Sequence, residues 1–228
     1  MSIRLKCLVP VGIQALMTQA DDIKPSGWRG SRELWLQAAY DQLLEHGIDA
    51  VKVMPLANRL SLSRTSFYGH FSDREDLLQD LIDMWQAKNT QSLVRQSKAY
   101  AGSAAEAILN VFDCWLNSEL FDSRLEFAIR NWAHTDAPLG ETLKAADGVR
   151  VAAFTAMFER HGFSNYDAEI RANAMYQTQI GYISMKAEEP LSDRIARMPA
   201  YAQTFAGEPP SDAETARFLA RHAARLTK

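Results

Sequence analysis

Apolar residues recur at helical spacing along most of this chain, and convincing strand-like alternation of apolar and polar residues is not found. The clearest example follows Ser31, a residue type that often caps the start of a helix. One face of the helix predicted there carries Leu36, Ala39, Tyr40, Leu43 and Leu44. His46 and Gly47 then supply a favourable helix end. This periodicity predicts an all-α fold.

Further helices are predicted beyond residue 100. The connection at 187–211 is rich in proline, and we expect a short helix near 192–205 inside it, because compact domains rarely keep so long a structureless loop. The other predicted helices span residues 103–117, 123–134, 140–161, 165–186 and 212–226. The expected organisation is an N-terminal extension at 1–30, a small three-helix domain at 31–90 and a larger helical domain at 91–228.

Composition limits the function classes. The chain of 228 residues has a formal net charge of −3, which argues against coating nucleic acid non-specifically but permits a local basic patch. The two cysteines, Cys7 and Cys114, match no disulfide or metal-ligand spacing, so we expect a reducing compartment. No apolar run reaches the ~18 residues of a membrane span.

The first thirty residues lack the pattern of a signal peptide. Pro10, Gly12 and Gln14 interrupt the apolar stretch, and no clear cleavage site follows. Met17 could serve as an alternative translation start, so the sequence leaves open whether residues 1–16 are translated.

Two short predicted helices, Val53–Leu60 and Arg64–His70, are joined by a tight turn, which is the pattern of a helix-turn-helix. The small Ala57 lets the first helix approach Phe67 of the second. With Phe67 facing the core, the side chains left to face outward are Arg64, Thr65, Ser66, Tyr68 and His70. A helix of this size can enter the major groove of DNA, which is ~12 Å wide.

The outward side chains suit a DNA duplex. Arg64 can donate two hydrogen bonds to guanine, and Thr65 and Ser66 can contact bases or phosphates. Tyr68 and His70 can donate to phosphate oxygens. The alternatives are a solvated helix face for the first three, a core position for Tyr68 and a capping or packing role for His70.

Arg74 lies just after this pattern, in the first turn of the next predicted helix. A cation beside unpaired backbone N–H groups suits a phosphate. Its alternative is an ordinary surface charge.

Residues 32–85 resemble the DNA-binding domain of the tetracycline-repressor (TetR) family of bacterial regulators. The segments that carry the resemblance are His46-Gly47-Ile48, Leu56-Ala57-Asn58-Arg59-Leu60, SRTSFYGHF at 63–71 and DREDLL at 73–78. The resemblance implies a homodimer that binds a palindromic double-stranded operator, with C-terminal helices for dimerisation and ligand binding. It also implies a cytoplasmic, nucleoid-associated protein, in which an unknown small-molecule effector releases DNA and typically derepresses a gene.

The chain departs from the family pattern at two places. Ser61 stands in the turn where the family often has glycine, and its Cβ is unfavourable if the backbone there is left-handed. Val51 and Lys52 stand where a serine or threonine usually starts the second helix. Lys52 can contact a phosphate instead.

Aromatic residues are frequent in the C-terminal half, where at helical spacing they are first of all core. Some can line an apolar pocket, which we expect between the helices at 103–117, 123–134 and 140–161. The candidate pocket residues are Trp115, Phe127, Arg130, Asn131, His134, Phe154 and Phe158.

Dimerisation is expected mainly through residues 165–186 and 212–226, because small residues let paired helices approach. The contacting side of the first segment is predicted to carry Ala168, Ala172, Met175, Gln179, Tyr182 and Ile183, and that of the second Ala216, Leu219, Ala220 and Ala223.

No glycine-rich phosphate loop, nucleophile elbow or zinc signature is found, so neither catalytic residues nor a cofactor or metal are predicted. Two other classes stay open: a helical enzyme that uses a C-terminal pocket, and an interaction protein that keeps the scaffold without binding DNA.

Overall fold

The computed structural model describes residues 30–226, which form helices and no β-strand. The all-α fold expected from the sequence is confirmed. The α-helices are α1 (Arg32–His46), α2 (Val53–Leu60), α3 (Arg64–Phe67), α4 (Arg74–Trp85), α5 (Gln91–Ser97), α6 (Ala104–Leu116), α7 (Ser123–Ala133), α8 (Ala137–Arg160), α9 (Asn165–Ser184), α10 (Leu191–Ala206) and α11 (Asp212–Leu226). The expectation about residues 1–16 lies outside the described residues.

Local sequence signals set most helix ends. The Ser31 hydroxyl accepts a hydrogen bond from the Leu34 N–H at 3.2 Å and so starts α1. Gly47 ends α1 with φ of 80°, a left-handed value that glycine adopts without steric cost. The short helix expected in the proline-rich connection is α10, which has 16 residues and tolerates Pro199 in its interior.

The N-terminal helices enclose one of two apolar cores. Trp35, Leu56 and Phe67 are fully buried in it, together with Trp85 at the end of α4. This core is not closed by residues 31–90 alone, because α7 contributes the buried side chains Leu125, Ile129 and Trp132. The first four helices are therefore seated on α7.

The second core is built around α6, whose residues 105–116 are all buried. Helices α5, α8, α10 and α11 pack against α6, and α8 and α9 lie side by side. Phe112, Phe154 and Phe158 fill the space between these helices.

A buried polar cluster joins the two cores at Glu126 of α7. Its carboxylate accepts hydrogen bonds from Trp85 Nε1 at 2.6 Å, Asn89 Nδ2 at 2.9 Å and an Arg150 N–H at 2.7 Å. Asn89 lies in a π-helical segment, Gln86–Thr90, that continues α4 into α5. Burial alone would raise the pKa of Glu126, but the adjacent Arg150 charge lowers it overall. An ionised carboxylate thus holds α4, α7 and α8 together.

Within residues 30–226, no helix combines the length and the apolar character that crossing a bilayer requires.

Candidate nucleic-acid interface

The turn between α2 and α3 is tight because Ser61 adopts the left-handed conformation, with φ of 52°. This backbone lets the Leu62 N–H reach the Ala57 carbonyl at 2.9 Å, which closes the end of α2. The Ser63 hydroxyl then accepts a hydrogen bond from the Ser66 N–H at 3.1 Å and starts α3. The departure from glycine at Ser61 therefore places a side chain in a strained position.

Phe67 fixes α3 against the rest of the domain. Its ring is fully buried and meets Trp35 edge-on at 5.3 Å between ring centroids. It also stacks on Phe71 at 5.2 Å. The sequence predicted the inward direction of Phe67 but not its partner Trp35, which lies outside the apolar stripe proposed for α1.

Arg64, Thr65 and Tyr68 form the outward face of α3, and all three are exposed. Arg64 donates a hydrogen bond to the Tyr68 hydroxyl at 3.1 Å, and its guanidinium lies 5.4 Å from the centre of the Tyr68 ring. Lys52, just before α2, is exposed as well.

No Asp or Glu occurs between Asp49 and Asp73, whereas Lys52, Arg59 and Arg64 do. Arg59 is paired with Glu45 of α1, so Lys52 and Arg64 are the residues that make the helix-turn-helix locally basic in a chain of negative net charge. This charge distribution favours contact with phosphates at one place on the surface.

Ser66 does not face outward as predicted, since only 4% of its surface is exposed. The cause is the length of α3, which ends at Phe67 and not at His70. In one helical turn, Ser66 lies beside Phe67 on the inner side, while residues 68–70 continue as a turn.

His70 is half-buried, and its backbone carbonyl accepts a hydrogen bond from Arg32 at 2.6 Å. The ring atom Nε2 is enclosed and has no hydrogen-bond partner among the described residues. Its side chain is therefore turned partly into the protein, unlike those of Arg64 and Tyr68.

Arg74 was expected to have its guanidinium available for a phosphate, but the guanidinium is bound within the chain. It donates to the backbone carbonyls of Val51 at 2.6 Å and Ile48 at 3.2 Å. The Ile48 carbonyl also accepts from the Val51 N–H at 3.1 Å, so Arg74 adds a side-chain link from α4 and fixes the connection from α1 to α2.

Arg32 is a positioning residue that the sequence did not reveal. It binds Asp80 and Asp76 of α4 at 2.6 and 2.8 Å and lies 4.2 Å from the centre of the Phe71 ring. The partners are more than 40 positions away in the chain, so no local pattern could have indicated them.

The expected ligand pocket is only partly found. Trp115, Phe154 and Phe158 are core side chains with at most 6% of their surface exposed. Arg130 is paired with Glu126 and Asp147, and it also donates to the Tyr176 hydroxyl at 2.9 Å.

Two of the remaining pocket candidates, Phe127 and Asn131, line a cavity of about 800 Å³, whereas His134 lies exposed at the end of α7. This cavity is bounded by the end of α1, by α7 and by the segment from the end of α9 into α10. It lies at the junction of the two cores and not between α6, α7 and α8 as expected.

No group of three or more His, Cys, Asp or Glu side chains that could hold a metal ion occurs within the described part of the chain.

Comparison with known proteins identifies the N-terminal region. Residues 36–81 match the family described as bacterial regulatory proteins, tetR family. The match confirms the resemblance to TetR regulators and with it a helix-turn-helix DNA-binding domain of a transcription regulator. No curated protein matches the chain in sequence.

Solved structures share the fold over most of the chain. GusR of Salmonella enterica aligns with a TM-score of 0.57 and 18% identity, over 77% of this chain and 91% of its own. A transcriptional regulator from Rhodococcus sp. Rha1 aligns with a TM-score of 0.53 and 22% identity, over 83% of this chain and 96% of its own. At these identities the likeness shows the common arrangement of helices.

Proposed function

We propose that this chain, which matches the tetR family over residues 36–81, is a repressor that binds a palindromic operator as a homodimer. A small-molecule effector releases it from DNA, and it acts in the bacterial cytoplasm on the nucleoid. The observation that carries the proposal is the face of Arg64, Thr65 and Tyr68, which is exposed on a capped helix held by Phe67.

Each exposed side chain has a distinct proposed contact. Arg64 donates to O6 and N7 of a guanine, and the methyl group of Thr65 contacts a thymine. The Tyr68 hydroxyl accepts from Arg64, so its own proton is available for a phosphate oxygen. Lys52 neutralises a phosphate at the start of α2.

Ser66, His70 and Arg74 are left out of this contact set. Ser66 is buried, and Arg74 already holds two carbonyls. His70 has one ring nitrogen enclosed. These three residues support the shape of the domain.

Dimerisation is proposed through the solvent-facing sides of α9 and α11. For α9, the predicted contacting side is incorrect, because its residues Ala168, Ala172 and Met175 are buried within the chain and cannot meet a partner. The opposite side exposes Tyr166 and Ile170, with 73% and 54% of their surfaces accessible. On α11 the predicted residues are exposed: Ala216, Leu219, Ala220 and Ala223.

Selection from a pool of random DNA duplexes, with the intact protein as bait, tests the proposal. We expect an enriched inverted repeat whose half-sites are one helical turn apart, ~34–36 Å, or a multiple of that distance. A reporter promoter carrying the recovered site should be silenced by the protein. A pool without any enriched sequence would contradict operator binding, and activation of the reporter would contradict repression.

A further inference from the structure

The cavity of about 800 Å³ at the junction of the two cores has the size of a small-molecule site. Its wall is apolar where α1 and α7 face each other, through Leu43, Phe127 and Trp132. Ile183 at the end of α9 and Ile48 in the turn after α1 extend this apolar wall. The cavity therefore suits a guest with an apolar body.

Three cations, Arg124, Lys186 and Arg194, line the same cavity. Over the range 30–226, none of them forms a side-chain hydrogen bond or an ion pair. By contrast, Arg130 and Arg150 are both paired with Glu126. Within the described residues, the three cations of this cavity wall have no anion bonded to them, although Glu189 lies near Arg194 and Glu45 near Arg124. The wall can therefore accept an anionic guest.

Arg194 is the innermost of the three cations. It is half-buried, and its guanidinium lies 4.4 Å from the centre of the Tyr182 ring. Burial lowers its pKa, whereas the neighbouring Tyr182 and Glu189 act in the opposite direction. A partly desolvated guanidinium is well suited to a carboxylate, with which it can form two parallel hydrogen bonds.

Lys186 and Arg124 are exposed at the cavity mouth. The Lys186 ammonium lies 4.7 Å from the centre of the Phe127 ring, and its backbone has φ of 50°. A left-handed cap after a helix usually carries glycine, so lysine is held there against a conformational preference. The acidic residues at the mouth, Asp49 and Glu188, are exposed and pair with none of the three cations.

We propose that this cavity binds an amphipathic organic carboxylate, with its apolar body between α1 and α7 and its carboxylate on Arg194. Lys186 and Arg124 add positive charge at the entrance. Binding of the carboxylate is independent of the proposed function. Its regulatory consequence rests on that function.

The location explains how such a guest would act on DNA binding. Ile48 and Asp49 of the cavity wall belong to the turn that leads from α1 into α2, and Arg74 ties the Ile48 carbonyl to α4. A guest that changes the distance between this turn and α7 therefore changes the position of the helix-turn-helix. If the carboxylate weakens operator binding by a given factor, thermodynamic linkage requires that operator DNA weaken carboxylate binding by the same factor.

Calorimetric titration of the full chain tests the site with decanoate and 1-naphthoate as probes. Decanol, 1-naphthalenemethanol and decylamine serve as neutral and cationic counterparts. We expect at least one carboxylate to bind, and its counterparts to bind much more weakly. Arg194→Gln should weaken carboxylate binding roughly 10- to 100-fold, because a charge-assisted hydrogen bond is lost, and Arg194→Lys should restore part of it.

Lys144→Gln is the control, because Lys144 is an exposed cation on α8 and lies outside the cavity. It should leave carboxylate affinity unchanged. Ala128→Phe tests the location separately, since Ala128 lines the cavity and the larger ring should block it. Circular dichroism confirms that each variant is folded.

Failure of every probe to bind would overturn the proposal, as would equal affinity of alcohol and carboxylate or an Arg194→Gln variant that binds like the unchanged protein. If Arg194-dependent binding is observed and operator affinity stays constant, the regulatory role is refuted. If no operator exists, the proposed function fails while the carboxylate site stands.

Discussion

Arg64 has the base-reading role in the proposed interface, and one substitution tests that role. Arg64→Ala should weaken binding to the selected operator by ~1–3 kcal/mol and relax the preference at one base pair of each half-site. The reason is that the exposed guanidinium is the cation at the start of α3. Binding curves on the operator and on single-base variants measure both effects.

Arg59→Ala is the control for this substitution. Arg59 lies on α2, but its guanidinium is held by Glu45 at 2.8 Å and so turned towards α1. This variant should keep the base preference. Equal losses on operator and random DNA for Arg64→Ala would make Arg64 a phosphate contact.

Ser61 occupies a backbone conformation that favours glycine, and its replacement should stabilise the protein. With φ of 52°, the Ser61 Cβ is crowded against the backbone, so Ser61→Gly is expected to raise the free energy of unfolding by about 1 kcal/mol. Urea denaturation measures the change. A destabilised Ser61→Gly protein would show that the Ser61 side chain has a stabilising contact.

Ser63→Ala, which removes the N-cap of α3, should lower the free energy of unfolding by about 1 kcal/mol in the same urea denaturation.

At the residue scale, the sequence predicted the exposed positions Arg64, Thr65 and Tyr68 but not the burial of Ser66. Local periodicity gives the direction of side chains only while the helix continues, and α3 ends after one turn. The carbonyl contacts of Arg74 were also hidden, because they depend on how α4 approaches the turn after α1.

At the scale of elements, helix ends with a capping residue were predictable, whereas the early end of α3 and the partner of each helix face were not. Capping residues such as Ser31 and Gly47 act on their own backbone, so their effect is visible in the sequence. The small side of α9 was assigned to a second copy of the chain, yet α8 of the same chain covers it. Small residues favour close approach of any helix, within a chain or between chains.

Glu126 links three of these elements, and its removal should destabilise the whole protein. Its carboxylate is completely buried and accepts from Trp85, Asn89 and Arg150. Glu126→Gln leaves buried Arg150 without its anion, so we expect a loss of roughly 3–5 kcal/mol in urea denaturation. Glu119→Gln, at an exposed site, should change stability by less than about 0.5 kcal/mol. A small loss in the first variant would show that water or Asp147 compensates Arg150.

The same carboxylate should contribute to acid sensitivity. The pKa of Glu126 in the folded protein lies below its ordinary value of 4.5, so its stabilisation is present above pH 4.5 and is lost as the pH falls through the folded pKa. The stability of Glu126→Gln should therefore fall less steeply below pH 4.5. Urea denaturation of both proteins over that acidic range compares the slopes. Parallel slopes would assign the acid sensitivity to other carboxylates.

At the scale of the whole molecule, the two cores form a connected structure. Helix α7 contributes Leu125 and Ile129 to the N-terminal core, while Glu126 binds Arg150 of α8. The cavity proposed for the carboxylate opens at the same junction. A shift of α7 therefore changes the position of the helix-turn-helix, and two such units in a dimer would change their spacing together.

The homodimer is the last prediction, and Ile170 on the solvent-facing side of α9 tests it. The intact protein should sediment at micromolar concentration with twice the 25.6 kDa of one chain. Ile170→Lys places a charge where the partner helix would desolvate it, so we expect a monomer that has lost most affinity for the palindrome. Its affinity for a single half-site should stay the same, because α3 is unchanged. Tyr100→Lys, at a 91% exposed residue between α5 and α6, should remain dimeric. A dimeric Ile170→Lys protein with full operator affinity would exclude this side of α9 from the interface.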